Sequence, residues 1–162
     1  MRAVTADRRT AGNQLAPLES SLWVPTSPVW SIAPGEGYRG RAAAKCTVKG
    51  DTARKNYTFT AQAPTLWRNT IPRPPSGRVR VSAMARTTDD WDGTVSNSRL
   101  RLGVNPGNAL IGGVALTAPL VEWGSISSTI TIPESVSSFV VALSADNMNG
   151  TVWWSNIEIL PA

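Results

Sequence analysis

The sequence predicts an all-β protein, an antiparallel β-sandwich of jelly-roll type with about eight strands and an extended N-terminal arm. Three observations carry this expectation. Short runs rich in β-branched and aromatic residues alternate apolar with polar at a period of two. Turn residues, drawn from 13 Gly and 12 Pro together with Asn and Asp, punctuate those runs at short, even intervals. Nowhere does the apolar pattern hold a helical period. The 162 residues fit one domain of ordinary size plus a short extension.

Residues 1–22 read as the arm. Arg8, Arg9, Thr10, Gly12, Asn13, Gln14 and Pro17 follow no strand or helix period, and such a segment either stays mobile or orders along a partner. The body is expected over residues 23–162. Trp23 and Trp30 stand among Pro25, Pro28 and Pro34, where they plug a core edge or anchor a neighbouring subunit. Ala42–Val48 is the first confident strand. Asn56–Gln62 alternates next, with Tyr57, Phe59 and Ala61 on one face. The Pro-rich loop Ala63–Ser76 carries Trp67. Arg78–Arg86 places Val79, Val81, Ala83 and Ala85 inward, and Arg78, Arg80, Ser82 and Arg86 outward. The loop Thr87–Thr94 follows, then strands over Ser98–Val104, Ala109–Leu116 and Ser125–Ile132.

Ser137–Ala145 and Thr151–Leu160, joined by Asp146-Asn147-Met148-Asn149-Gly150, read as a hairpin that closes the sheet. In its second strand Val152, Trp154, Ile157 and Ile159 share the core face only if a bulge near Ser155–Asn156 resets the alternation. Trp153 and Trp154 are consecutive and face opposite sides, so one is core and the other lies outside.

Composition narrows the chemistry. With 41% hydrophobic residues the chain can bury a core, and 17% charged argues against disorder. There is no His, which removes Ser–His and Cys–His nucleophile pairs and the commonest zinc ligand. Cys46 is the single cysteine and sits in an apolar run, so it reads as a buried, inert thiol. No apolar run is long enough for a membrane helix, and Met1–Arg9 lacks the apolar segment of a signal peptide, so synthesis in a cytoplasm is expected. The net charge of +5 is uneven. Residues 39–86 carry 11 Lys/Arg against one Asp, whereas residues 87–162 carry two Arg against seven Asp/Glu. This suits a solvated basic face, or contact with an anionic partner or the acidic half of another copy. Nucleic acid is not expected, because no binding signature accompanies the basic residues.

Two stretches are candidate glycan sites. Trp91 stands among Asp89, Asp90 and Asp92, an indole beside acceptor oxygens. The alternative is a solvated acidic turn with the ring folded back on the sandwich. Trp67, with Arg68 and Arg73 nearby, either stacks on a ligand or anchors its loop. Adjacent Asp residues in an open loop do not make the acid–base pair that glycoside hydrolysis needs. No enzyme, no cofactor and no metal site is therefore expected.

The order of motifs resembles the jelly-roll carbohydrate-binding-module and galactose-binding-like superfamily over roughly residues 37–160. The matching features are Gly37-Tyr38-Arg39-Gly40 before Ala42–Val48, Gly77 with Arg78–Ala83, Trp123 with Ser128–Pro133, and Gly150–Ile159. The resemblance implies a jelly roll and a glycan-binding class. It also implies a structural calcium held by an Asp-Asp pair in the last strand. Ser155-Asn156 stand there instead, and neutral oxygens bind calcium far more weakly than carboxylates. Small proteins of this kind are similar to minor tail or capsid-accessory decoration proteins of actinobacterial phages.

The leading expectation is thus a non-enzymatic virion structural protein, a homo-oligomer or partner of other virion subunits. Arg8, Arg9, Trp23, Trp30 and Trp153 would form its assembly surface. The alternative is a carbohydrate-binding module that contacts a host-wall glycan through Trp91, Trp67 and the Asp loop.

Overall fold

The computed structural model describes residues 13–15, 17–20, 23–25, 27–49, 56–61, 70–92, 98–146 and 148–162, with the backbone alone in 56–61 and at 146. Among them are eleven strands: β1 (Val24–Pro25), β2 (Trp30–Ala33), β3 (Ala43–Val48), β4 (Asn56–Ala61), β5 (Ile71–Pro72), β6 (Arg78–Thr87), β7 (Ser98–Val104), β8 (Leu110–Ala115), β9 (Gly124–Thr131), β10 (Ser138–Asp146) and β11 (Gly150–Pro161). They form two antiparallel sheets. One runs β1-β4-β10-β7-β8 with β5 also on β10, and the other runs β2-β3-β11-β6-β9. The all-β jelly-roll sandwich read from the sequence is the fold observed. The strands beyond the expected eight are β1, β2 and β5. They are two to four residues long and two of them contain Pro25 or Pro72, which short edge strands tolerate.

Alternation does what the residue types dictate. β6 turns Val79, Val81, Ala83, Ala85 and Thr87 inward and leaves Arg78, Arg80 and Arg86 exposed. From the facing sheet Leu100, Leu102, Phe139, Val141 and Leu143 meet Val152, Trp154 and Ile159, all at most 1% exposed. Trp154 is the core member of its pair and Trp153 the outer one. The bulge is present: the β11–β6 register shifts between Ser155 and Glu158, and Asn156 takes φ 51.

Two expectations need correction. The segment before Gly150 is not a hairpin turn, because β10 pairs with β4, β5 and β7 while β11 pairs with β3 and β6. The connection crosses between the sheets and buries Met148, which accepts the Ser98 hydroxyl. Nor does β11 close a sheet edge; it lies in the middle of its sheet, between β3 and β6.

Part of the expected arm also belongs to the body. β3 pairs with β11 only from Gly150 to Trp154, so the following stretch of β11 lacks a strand on that side. Exposed β edges must find partners for their amides and carbonyls. Asn13 supplies them: its Nδ2 donates to Ile157 O at 3.1 Å and its Oδ1 accepts Ile159 N–H at 2.9 Å. The Gln14 N–H adds a bond to Ile159 O at 3.0 Å, and Leu15 and Leu18 are buried in the core.

Cys46 is fully buried, and that burial pushes its thiol up to about 12. The native protein is expected to show no reaction with Ellman's reagent at pH 8 over an hour, and one equivalent after denaturation.

Candidate functional site

A recess opens where β3 leaves β11. It has a volume of about 310 Å³ and three walls: residues 13–15 with 17–19, the turn Tyr38–Ala42 and the bulge Ser155–Glu158. The bulge turns Ser155 into a tie rather than a strand residue. Its Oγ accepts the Tyr38 N–H at 3.0 Å and donates to Ala42 O at 3.0 Å. Gly37 is buried and sets the entry to the turn, where its N–H reaches Arg41 O at 2.6 Å. Glu19 closes the other side. Its Oε2 accepts the Ala42 N–H at 3.1 Å and its Oε1 pairs with Arg41 at 3.3 Å. Partial burial pushes the Glu19 carboxyl up, but the Ala42 and Glu19 N–H groups and the Arg41 guanidinium together outweigh it. They hold the group below its ordinary 4.5.

Two non-glycine residues on this recess sit in the left-handed region, Arg39 at φ 55 and Asn156 at φ 51. Asn tolerates that conformation; for Arg it is uncommon, costs of order 1–3 kcal/mol and persists only where the surroundings impose it. The Arg39 guanidinium lies 5.1 Å from the Tyr38 ring centroid, and Trp123, half-buried, meets Tyr38 edge-on at 6.1 Å. Two guanidiniums, two amides, two carboxylates and a phenol therefore converge on one recess.

The donor set does not fit a calcium ion. Calcium takes six to eight oxygens with several carboxylates. Here the Ser155 hydroxyl is fully engaged by backbone, both Glu19 oxygens are engaged, and Arg41 already supplies a positive charge. No group of three or more His, Cys, Asp or Glu is placed to hold a metal among the described residues.

The residues expected from sequence fall elsewhere. Trp91 is 3% exposed and lies in the core, so it presents no face to a sugar. The cause is local. Thr88 N–H bonds Thr151 O, and Asp92 and Asn149 exchange both their backbone bonds, which lashes the loop to the start of β11 and turns the ring inward. Asp89, Asp90 and Asp92 stay on the surface. Trp23 and Trp30 are also core residues, 4% and 3% exposed, and offer no assembly surface. Arg8, Arg9 and Trp67 lie outside the described residues.

Trp153 is on the outer face, as one of the pair had to be. It stands between Lys45 of β3 and Arg86 of β6, whose charged groups are 5.6 and 5.3 Å from its ring. Its Nε1 donates to Glu36 Oε1 at 3.2 Å, and Lys45 reaches the same oxygen at 3.1 Å. Lys45 first, then Trp153, holds the Glu36 carboxyl below its usual range. The indole is taken up by the protein's own charges and is no open stacking platform.

Sequence reasoning missed Asn13, Glu19, Tyr38 and Arg39 as one site. The signals were the Gly37–Gly40 turn and the Ser155–Asn156 irregularity, which are distant in sequence and meet only through the topology.

No family model matches the sequence, and no curated protein matches it. Solved structures do match in fold. A family 16 carbohydrate-binding module aligns with TM-score 0.58 at 15% identity, over 86% of this chain and 90% of that one. The module CBM6cm-2 from Cellvibrio mixtus lichenase 5A, solved with cellotriose, gives 0.56 at 14% identity over 91% and 95%. Bacteriophage CBA120 tailspike protein 4, in its enzymatically active domain, gives 0.59 at 13% identity over 91% of this chain but 21% of that one. The class these likenesses define is a fold class, the carbohydrate-binding-module-like jelly roll.

Proposed function

We propose that the protein is a non-catalytic glycan-binding module whose site is the recess between the N-terminal segment, the Tyr38–Ala42 turn and the β11 bulge. The observation that carries this is the convergence of Arg39, Asn156 and Glu158 with the Tyr38 ring in a recess of about 310 Å³. Concave sites with a few fixed polar groups are where proteins hold small ligands. Hydroxyl-rich sugars match a set that mixes donors and acceptors. Glycoside hydrolysis would need a carboxylic acid with a raised pKa, and the Glu19 carboxyl is held below its ordinary range instead.

Arg39→Gly tests the reading without confusing binding with folding. Glycine accepts φ 55 freely, so the variant is expected to keep or raise its unfolding midpoint. Its affinity for uncharged glycans that the wild type binds on an array is expected to fall at least tenfold. Unchanged glycan affinity in both Arg39→Gly and Asn156→Gly would overturn the recess as the site.

A second reading, a virion structural component that assembles with other virion subunits or with itself, is supported by the tailspike likeness and by the basic outer face of β3 and β6 around Trp153. Deletion of residues 1–12, which spares Asn13, Leu15 and Glu19 and their contacts with the body, is the clean test. Failure of the protein to sediment with purified particles in either form rejects this reading.

A further inference from the structure

The outer face of the other sheet carries a second cluster that the recess does not use. On β7, Arg99 and Arg101 point away from the core between the buried Leu100 and Leu102. In register, Arg99 stands across from Ser144 and Arg101 across from Ala142 on β10. On the other side they face Ala115 and Gly113 of β8. Three polar groups here are buried without a partner: Nε of Arg99, Nε of Arg101 and the hydroxyl of Ser144, a residue only 3% exposed. Arg101 does spend one terminal nitrogen on Asn108 O, at 2.7 Å. No carboxylate pairs with either guanidinium among the described residues.

Buried polar groups are almost always satisfied, and each exception needs a cause. The cluster consists of two guanidinium donors and a hydroxyl on a floor of small side chains. What it lacks is an acceptor, and an oxyanion supplies one with planar geometry that suits Arg. The face is the middle of a sheet, since β7 and β10 are paired on both sides, so no strand edge is open for a peptide to extend. No aromatic ring stands on it among the described residues of β7, β8 and β10, so an uncharged sugar finds no stacking surface.

We propose that this face is a separate binding site for an acidic glycan, one whose sugars bear uronate carboxylates or sulfate esters. Arg99 and Arg101 pair with the oxyanion groups, and the Ser144 hydroxyl donates to the same oxygens. The site is independent of the recess.

The experiment measures affinity of the full chain for polygalacturonate and for dextran sulfate at 150 mM salt. Uncharged dextran and a thymidine oligonucleotide serve as comparisons. Binding is expected to one or both acidic glycans, the stronger arm identifying carboxylate or sulfate. Arg99→Gln with Arg101→Gln is expected to weaken it at least tenfold, whereas Arg80→Gln with Arg86→Gln on the opposite sheet changes it less than twofold. Ser144→Ala is expected to weaken binding about threefold with no loss of unfolding midpoint, because its hydroxyl has no partner to lose. Arg39→Gly is expected to leave it unchanged. Equal weakening by both arginine pairs means diffuse attraction to a basic protein and overturns the proposal. So does equal affinity for the oligonucleotide, or no binding to either acidic glycan.

Discussion

Trp154→Ala is expected to lower the free energy of unfolding by about 3–5 kcal/mol, while Trp153→Ala, one residue away, lowers it by about 1 kcal/mol. Trp154 is 0% exposed, and it is the largest of the fully buried side chains at the centre of the sandwich. Its removal leaves a cavity that rigid β layers on both sides cannot collapse into. Trp153 sits on the outer face and loses only its contacts with Lys45 and Arg86 and its bond to Glu36. For a domain stable by roughly 5–15 kcal/mol the first change removes much of the margin. Trp154→Phe refines the argument. The Trp154 Nε1 is buried without a partner, so the phenyl ring also removes an unsatisfied donor, and its cost is expected to fall well below that of the alanine variant. Urea denaturation of the three variants checks the order. Equal losses at 153 and 154 would mean that the assignment of faces is wrong.

That assignment shows what the sequence alone could and could not carry. Alternation required Trp153 and Trp154 to part, but period-two logic has no sign: it separates faces without saying which is the core. The register does so, by placing Trp154 opposite Ala44 and Ala85 and Trp153 opposite Lys45 and Arg86. The small partners leave room for an indole between the layers, and the long cationic ones need water. The bulge was legible for a related reason. Without it Ile157 and Ile159 would leave the core, and only one local irregularity restores them.

Turn chemistry misled at Asp146–Gly150 because Asn and Gly report that a chain reverses, not which strand it then pairs with. A hairpin and a crossing between sheets use the same residues. At Trp91 the sequence left two readings, a sugar site or an acidic turn with the ring folded back on the sandwich, and the structure shows the second. An indole among three aspartates has the composition of a sugar site, and the bonds that turn the ring inward, from Thr88 to Thr151 and between Asp92 and Asn149, are non-local. The recess was the hardest feature to see. Asn13 and Glu19 lie in a stretch without pattern, and nothing in the letters marks Arg39 as left-handed.

Gly37→Ala is expected to destabilise the protein by about 2 kcal/mol and to abolish binding at the recess, although the added methyl touches no ligand. Gly37 has an ordinary φ of −86, so its role is space. A Cβ there would fall on the Ala42 carbonyl oxygen. The same oxygen accepts the Ser155 hydroxyl, and that hydroxyl accepts the Tyr38 N–H. Pushing the turn outward therefore breaks both bonds at once and lifts Tyr38 and Arg39 away from the bulge. Ser155→Ala removes the same two bonds from the other end. It leaves the Tyr38 N–H without its acceptor and costs about 1–3 kcal/mol. Because both changes sever one chain, the double variant should be little worse than the harsher single one, a coupling of about 1 kcal/mol or more. Gly40→Ala is the contrast. It also lies in the turn, at φ 76, but a Cβ there meets nothing within 4 Å. Its cost is only that of the left-handed backbone, about 1 kcal/mol, and it should add fully to Ser155→Ala. Full additivity of Gly37→Ala with Ser155→Ala would show that the turn and the bulge are held apart by other means, and the recess would lose its physical basis.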